Sequence, residues 1–283
     1  MKDERKEFFV KILLAIGCAM LLVVFCIMVA LAFSNDRKVE PDEIVVVEKP
    51  KRIADEDVVD VPDEPSDIAS WGSLADYIKK NGWDVSFGYY NLTTGEEVTY
   101  RADKIYYGAS LVKTVDALYV YEEMKITDDL RGLVKEAITV SDNDAHMELF
   151  ETIGYENLRA YGRALGMKNF LDTNESYEYG NATVADQLAL WKKVYDFLYT
   201  DRNADKAELE SFFKNNNTNS LAFEPKMSVL HKYGYWEDAC HDSGIILTDK
   251  PYILTILTNE NRGGLSIISD LSEKIYQKIA LEG

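Results

Sequence analysis

The chain has 283 residues and a formal net charge of −18, with 47% hydrophobic residues. That charge excludes binding to nucleic acid through a general electrostatic field. Three cysteines, Cys18, Cys26 and Cys240, exclude a disulfide framework, because Cys240 stands alone beyond residue 26.

Residues 1–11 carry Lys2, Arg5, Lys6 and Lys11 and read as a cytoplasmic tail. Residues 12–33 form 22 consecutive uncharged positions. At helical rise they span roughly 33 Å, a bilayer core. A cleaved leader has a shorter apolar region and a small-residue cleavage site, so an uncleaved single-pass anchor is expected. Residues 34–69 read as a tether. Positions 34–66 hold four of the six prolines and eleven acidic residues against five basic ones. Such a segment buries too little apolar surface to offset its ordering entropy. Residues 70–283 then form one folded domain.

Within that domain, Ser73 to Asp76 reads as a helix N-cap and Asn81-Gly82 as the helix end. Val85, Phe87 and Tyr89 alternate with Ser86 and Gly88, which predicts a strand; Thr93-Thr94-Gly95 turns it into a return strand over 97–101. Helical spacing predicts helices over 111–124, 128–138, 144–153, 155–166 and 184–200. Strands return over 228–235, 244–248 and 252–258, and Ile267, Leu271, Ile275 and Ile279 stripe a last helix over 265–281. The first and last segments therefore form one antiparallel sheet, and the middle inserts a helical lobe.

Ser110 and Lys113 stand three apart at the start of the helix predicted over 111–124. They share a face, so the hydroxyl can act as a nucleophile with the amine as its base. Such a lysine must lose its proton near neutrality, through burial or a neighbouring cation such as Lys232. His146, His231 and His241 lack metal-ligand spacing, so no metal or cofactor is expected. His241-Asp242-Ser243 alternate on a strand and cannot form a triad by themselves.

Two further motifs follow in order: Ser141-Asp142-Asn143 and Lys232-Tyr233-Gly234. The succession S-x-x-K, S-D-N, K-x-G resembles a class A β-lactamase-like serine hydrolase of the β-lactamase and penicillin-binding protein superfamily. The resemblance spans roughly residues 73–283 and looks like a compact, divergent member. It implies an α/β fold, with the antiparallel sheet flanked by terminal helices and the all-helical lobe inserted. It implies Ser110 as nucleophile, Lys113 as base and Ser141 as the proton relay to the leaving nitrogen. Asn143 would bond the substrate amide. Lys232, Tyr233 and Gly234 would line the carboxylate end, and the N–H groups of Ser110 and Tyr235 would form the oxyanion hole.

Three departures stand out. Tyr233 replaces the family's threonine or serine, and it can point away, narrow the cleft or replace the carboxylate contact. Ser243 stands where a nearby arginine is expected. The family's deacylating glutamate lies in E-x-x-L-N; here Glu175 and Glu178 fall in the corresponding loop without that context, so either, or neither, is the base.

The expected protein is a bacterial cell-membrane hydrolase whose domain lies outside the cytoplasm. Its partners would be β-lactams or D-alanyl peptides, with slow deacylation. An impaired binding or sensor module for the same ligands is the alternative, and an esterase or amidase with an unrelated substrate is the third.

Overall fold

In the computed structural model, the described residues are 70–171, 178–224, 227–261 and 263–282. The predicted tail, anchor and tether all lie outside them, as does Glu175. No helix among the described residues is long and apolar enough to cross a membrane.

The first helix, α1 (Trp71–Lys80), starts one turn earlier than the sequence suggests. Ser70, not Ser73, is the N-cap: its hydroxyl accepts from the Ser73 backbone N–H at 3.1 Å. Ser73 Oγ accepts in turn from the Ser70 N–H at 3.1 Å, which closes a capping box. Leu74 and Ile78, four apart, are buried against the sheet.

Strands β1 (Val85–Asn91) and β2 (Glu97–Tyr100) form the predicted hairpin. Its turn is set by Asn91 Oδ1, which accepts from the Thr93 and Thr94 N–H groups. After it come a two-residue strand β3 (Tyr106–Tyr107) and a 3-10 turn over Ala109–Val112. The lobe comprises α2 (Lys113–Glu123), α3 (Asp128–Thr139), α4 (Asn143–Ile153), α5 (Tyr155–Ala164), α6 (Val184–Tyr199) and α7 (Ala204–Lys214). A short strand β4 (Asn181–Ala182) pairs with β3. Strands β5 (Ser228–Trp236), β6 (Ala239–Leu247) and β7 (Tyr252–Thr258) and the helix α8 (Gly264–Glu282) complete the chain.

The main sheet is antiparallel, in the order β2-β1-β7-β6-β5. Its two faces carry separate cores. One face packs Leu230, Ile245, Ile253 and Leu257 against the lobe, where Trp191 and Phe213 meet edge-on at 5.2 Å. The other packs Val229, Ile246, Leu254 and Ile256 against Leu74, Ile78 and the Ile268–Ile275 stripe of the terminal helices. Alternation along each strand produces this division.

Two expectations need correction. The helix expected over 111–124 begins as a 3-10 turn, and its α-helical part starts at Lys113. The strand expected over 244–248 begins five residues earlier, at Ala239, because its polar residues are buried and paired. Asp242 Oδ1 meets His231 Nδ1 at 2.8 Å across the β5–β6 pair, and Ser243 Oγ meets Thr255 Oγ1 at 2.6 Å.

Candidate active site

The 3-10 turn carrying Ser110 is held from three directions. Behind it, the Gly108 N–H donates to Gly180 O at 3.0 Å, continuing the β3–β4 pair. A Cβ on Gly108 would lie 2.4 Å from Tyr179 O, so only glycine lets these backbones approach. Beside it runs β5. A Cβ on Gly234 would meet Gly108 O, Ala109 Cβ and Leu111 Cγ, each at 3.3 Å. The glycine of Lys-x-Gly is therefore a packing requirement of the turn that carries Ser110.

From β6, His241 reaches the carbonyl of Tyr107 at 2.9 Å through Nε2. Its Nδ1 accepts from the Thr258 N–H at 3.2 Å, so Nε2 carries the proton and donates. Burial pushes this imidazole down to about 4, which keeps it neutral near pH 7. Within the turn itself, Ala109 has φ 45°, the left-handed region that a β-carbon disfavours. Strain of this kind is typical where a fold over-determines a functional residue.

Ser141 is the second such residue, with φ 59°. It lies between the end of α3 and Asp142, whose carboxylate caps α4 by accepting from the Ala145 N–H at 2.8 Å. This geometry turns both oxygens of Ser141 toward the two lysines. Lys113 Nζ donates to Ser141 O at 2.6 Å and to Asn143 Oδ1 at 2.7 Å, and lies 3.4 Å from Ser141 Oγ. Lys232 Nζ donates to Ser141 Oγ at 2.9 Å and to Tyr233 O at 3.0 Å. No hydrogen bond joins Lys113 to Ser110 among the described residues. Such contacts are often long without substrate and tighten with it.

Lys113 and Lys232 are both 0% exposed. Burial pulls the Lys113 amine down to about 8, and the Asp116 and Asp142 carboxylates oppose that fall. Lys232 falls well below the ordinary lysine value, first through burial and then through the charge of Lys113. Burial leads the fall at both amines, and the neighbouring ammonium adds to it at Lys232.

A cleft of about 320 Å³ opens in front of these groups, with Ser110, Ser141 and Asn143 in its lining. Tyr107, Tyr179 and Tyr233 wall it, and Val140, Tyr235 and Trp236 form an exposed rim. Ser110 and Tyr235, the residues whose N–H groups the resemblance assigns to an oxyanion hole, both line it. Tyr233 thus faces the cleft, and its ring covers the Lys232 ammonium at 4.1 Å from the centroid. Glu178 is half-buried and is not part of the lining; burial raises the phenols of Tyr107 and Tyr179, and the charge of Glu178 adds to it.

The sequence reading missed Val140, Trp236, the His241 tie and two buried histidine–aspartate pairs. One is His231 with Asp242; the other is His146 Nδ1 with Asp116 Oδ2 at 2.7 Å. Asp116 and His146 each follow a site residue by three, Lys113 and Asn143, and that helical spacing was the available signal. Among the described residues no group of three or more His, Cys, Asp or Glu side chains is placed to hold a metal ion.

The sequence profile of the beta-lactamase enzyme family matches residues 125–279, a span that begins after the Ser110 turn. A comparison with curated proteins gives no match. Among solved structures, a beta-lactamase from Sphaerobacter thermophilus aligns at TM-score 0.64 and 18% identity, covering 76% of this chain and 99% of that one. A variant of the last common ancestor of class A beta-lactamases of Gram-negative bacteria aligns at 0.63 and 20%, covering 75% and 98%. A mutant of PBP-A, solved as an acyl-enzyme complex with penicillin G, aligns at 0.64 and 16%, covering 74% and 95%. At these identities the likeness is one of fold.

Proposed function

Because the chain belongs to the beta-lactamase enzyme family, we propose that it is a membrane-anchored, extracytoplasmic serine hydrolase that forms an acyl-enzyme on Ser110 with β-lactams or D-alanyl cell-wall peptides. The observation that carries this reading is the convergence of two buried lysines on Ser141, in the lining of the cleft that holds Ser110. An amine brought down to about 8 by burial is partly free at neutral pH and can accept a proton. The uncharged run over 12–33 supports the anchor.

In the acylation step, Lys113 takes the proton from Ser110 Oγ. The oxygen bonds to the carbonyl carbon, and the C–N bond to the leaving nitrogen breaks. The proton then passes to that nitrogen through Ser141, which both lysines reach. Backbone N–H groups of Ser110 and Tyr235 would hold the charge on the carbonyl oxygen. Deacylation needs a water and a base. Glu175 and Glu178 stand outside the family's E-x-x-L-N context, and that departure favours slow turnover, and in the limit an acyl-trapping sensor. Glu175 and Glu178 remain the proposed candidates for the base.

Intact-mass spectrometry of the full-length protein in detergent, incubated with a penicillin, tests this reading. A Ser110 adduct that disappears over minutes to hours is expected, and a permanent adduct supports the sensor. No adduct, or an adduct that survives Ser110→Ala, would refute Ser110 acylation.

A further inference from the structure

We propose that Asp116, which no motif contains, is the positioning residue for Lys113: its buried carboxylate, held by His146, keeps the amine in place and sets its strength as a base. The inference rests on Lys113 acting as the base in Ser110 acylation and adds the residue that governs it.

Two ties join α2 and α4. The first is Lys113 Nζ donating to Asn143 Oδ1 at 2.7 Å, between the opening residues of the two helices. The second lies three residues on in both helices, where the His146 Nδ1–H donates to Asp116 Oδ2 at 2.7 Å. Residues three apart share a helix face, so both ties lie along one seam. Asp116 and His146 are both 0% exposed. The His146 ring also lies 4.9 Å from that of Tyr179, a wall of the cleft. The pair thus fixes the helix that carries Lys113 against the helix that carries Asn143.

The same carboxylate acts on Lys113 as a charge. The amine spends its short bonds on Ser141 O and Asn143 Oδ1. Asp116 therefore attracts the ammonium through the buried medium, where salt screens little. Lys113 opens α2, where the helix dipole disfavours a cation, and Asp116 lies in the same first turn and offsets it. Burial pulls Lys113 down to about 8; Asp116 opposes that fall more than Asp142, which is exposed to water. The other titratable groups around the seam are Lys232 from β5, His146 from α4 and the Tyr179 phenol. That phenol is raised by burial and then by Glu178, Asp144 and Asp116. Without Asp116 the amine would hold its proton less tightly and take one from Ser110 less readily.

Benzylpenicillin is the probe, and its carboxylate stays ionised from about pH 6 to 9.5. Acylation of the full-length protein in detergent is followed across that range by intact mass against time. Asp116→Asn keeps the shape of the side chain and removes its charge, so the midpoint of the rate profile should fall by about one pH unit. The variant should react faster than wild type near the acid end, where more amine is free, and slower on the plateau, where a weaker base limits the rate. A distorted fold lowers the rate at every pH and does not make the two profiles cross. Asp76→Asn removes the same charge from an exposed position on α1 and should leave the midpoint in place. If Asp116→Asn does not fold, Asp116→Ser decides instead. A midpoint unmoved by the substitution, a rate lowered equally across the range, or an equal shift in Asp76→Asn would overturn the inference. A wild-type profile with no midpoint would refute Lys113 as the base, which is a separate outcome.

Discussion

The pH dependence of acylation is the sharpest test of how Lys113 works. A lysine at its ordinary value of 10.5 is roughly 0.03% neutral at pH 7, whereas one at about 8 is roughly a tenth neutral. Burial of the side chain thus supplies on the order of 300-fold more free base, and the lower basicity gives part of that back. The protonated form predominates below about 8, so the acylation rate should climb close to tenfold per pH unit from 6 to 7.5. It should level off above about 8.5. Stopped-flow labelling with a fluorescent penicillin methyl ester reads this directly, and the ester keeps substrate charge constant. Lys113→Ala should remove the slope and lower the plateau by about 10²–10⁴. A wild-type rate that is flat across this range, or that keeps rising to pH 10, would mean that Lys113 is not the base, whatever its geometry.

Gly234→Ala should cost about 1–3 kcal/mol in denaturant unfolding, because three atoms at 3.3 Å must give way. The shifted turn should slow Ser110 labelling at least tenfold, and unchanged labelling would show that β5 does not set the nucleophile. His241 is held near 4 against 6.5 when unfolded, so between those values the unfolded chain binds a proton that the native imidazole refuses. Its stabilisation is full above 6.5 and falls away as pH drops to 4, by about 3 kcal/mol. His241→Gln should flatten this part of the stability profile, and an unchanged acid slope would rule it out. Glu175→Gln and Glu178→Gln should separate the deacylation candidates, since the one that matters lengthens the adduct lifetime; if neither does, the base lies elsewhere. The full-length protein should remain with membranes after a high-salt wash, and a soluble form beginning after residue 33 would contradict the anchor.

Much of the fold was legible because β1 alternates and β7 is a continuous apolar run. Val85, Phe87 and Tyr89 gave β1, and the 252–258 run gave β7 to the residue. The start of β6 was not legible, because hydrophobic patterning cannot see polar residues buried in pairs. His241 to Ser243 reads as polar, yet Tyr107, His231 and Thr255 supply the partners that make burial tolerable. Strands β3 and β4 are two residues each, too short for any period to show. Helix α7 had a visible start signal in Asn203, whose side chain accepts from the Lys206 N–H, but the reading named no helix there. For the site, three short motifs placed Ser110, Lys113, Ser141, Asn143 and Lys232 around one cleft. They could not show that Tyr233 covers Lys232, since its direction depends on how β5 docks.

The turn that carries Ser110 owes its shape to residues far away in the chain. Gly180 lies 72 positions beyond Gly108, and His241 is 134 positions from Tyr107. A chain emerging from its N-terminus therefore presents the serine long before the contacts that shape its surroundings exist. Both tethers close large loops, which are slow to form. If Ser110 acylates as proposed, its reactivity becomes a clock for the last stage of folding: a probe that labels it reports that the C-terminal hairpin has docked. A protein arrested before that stage would carry every motif and remain chemically silent.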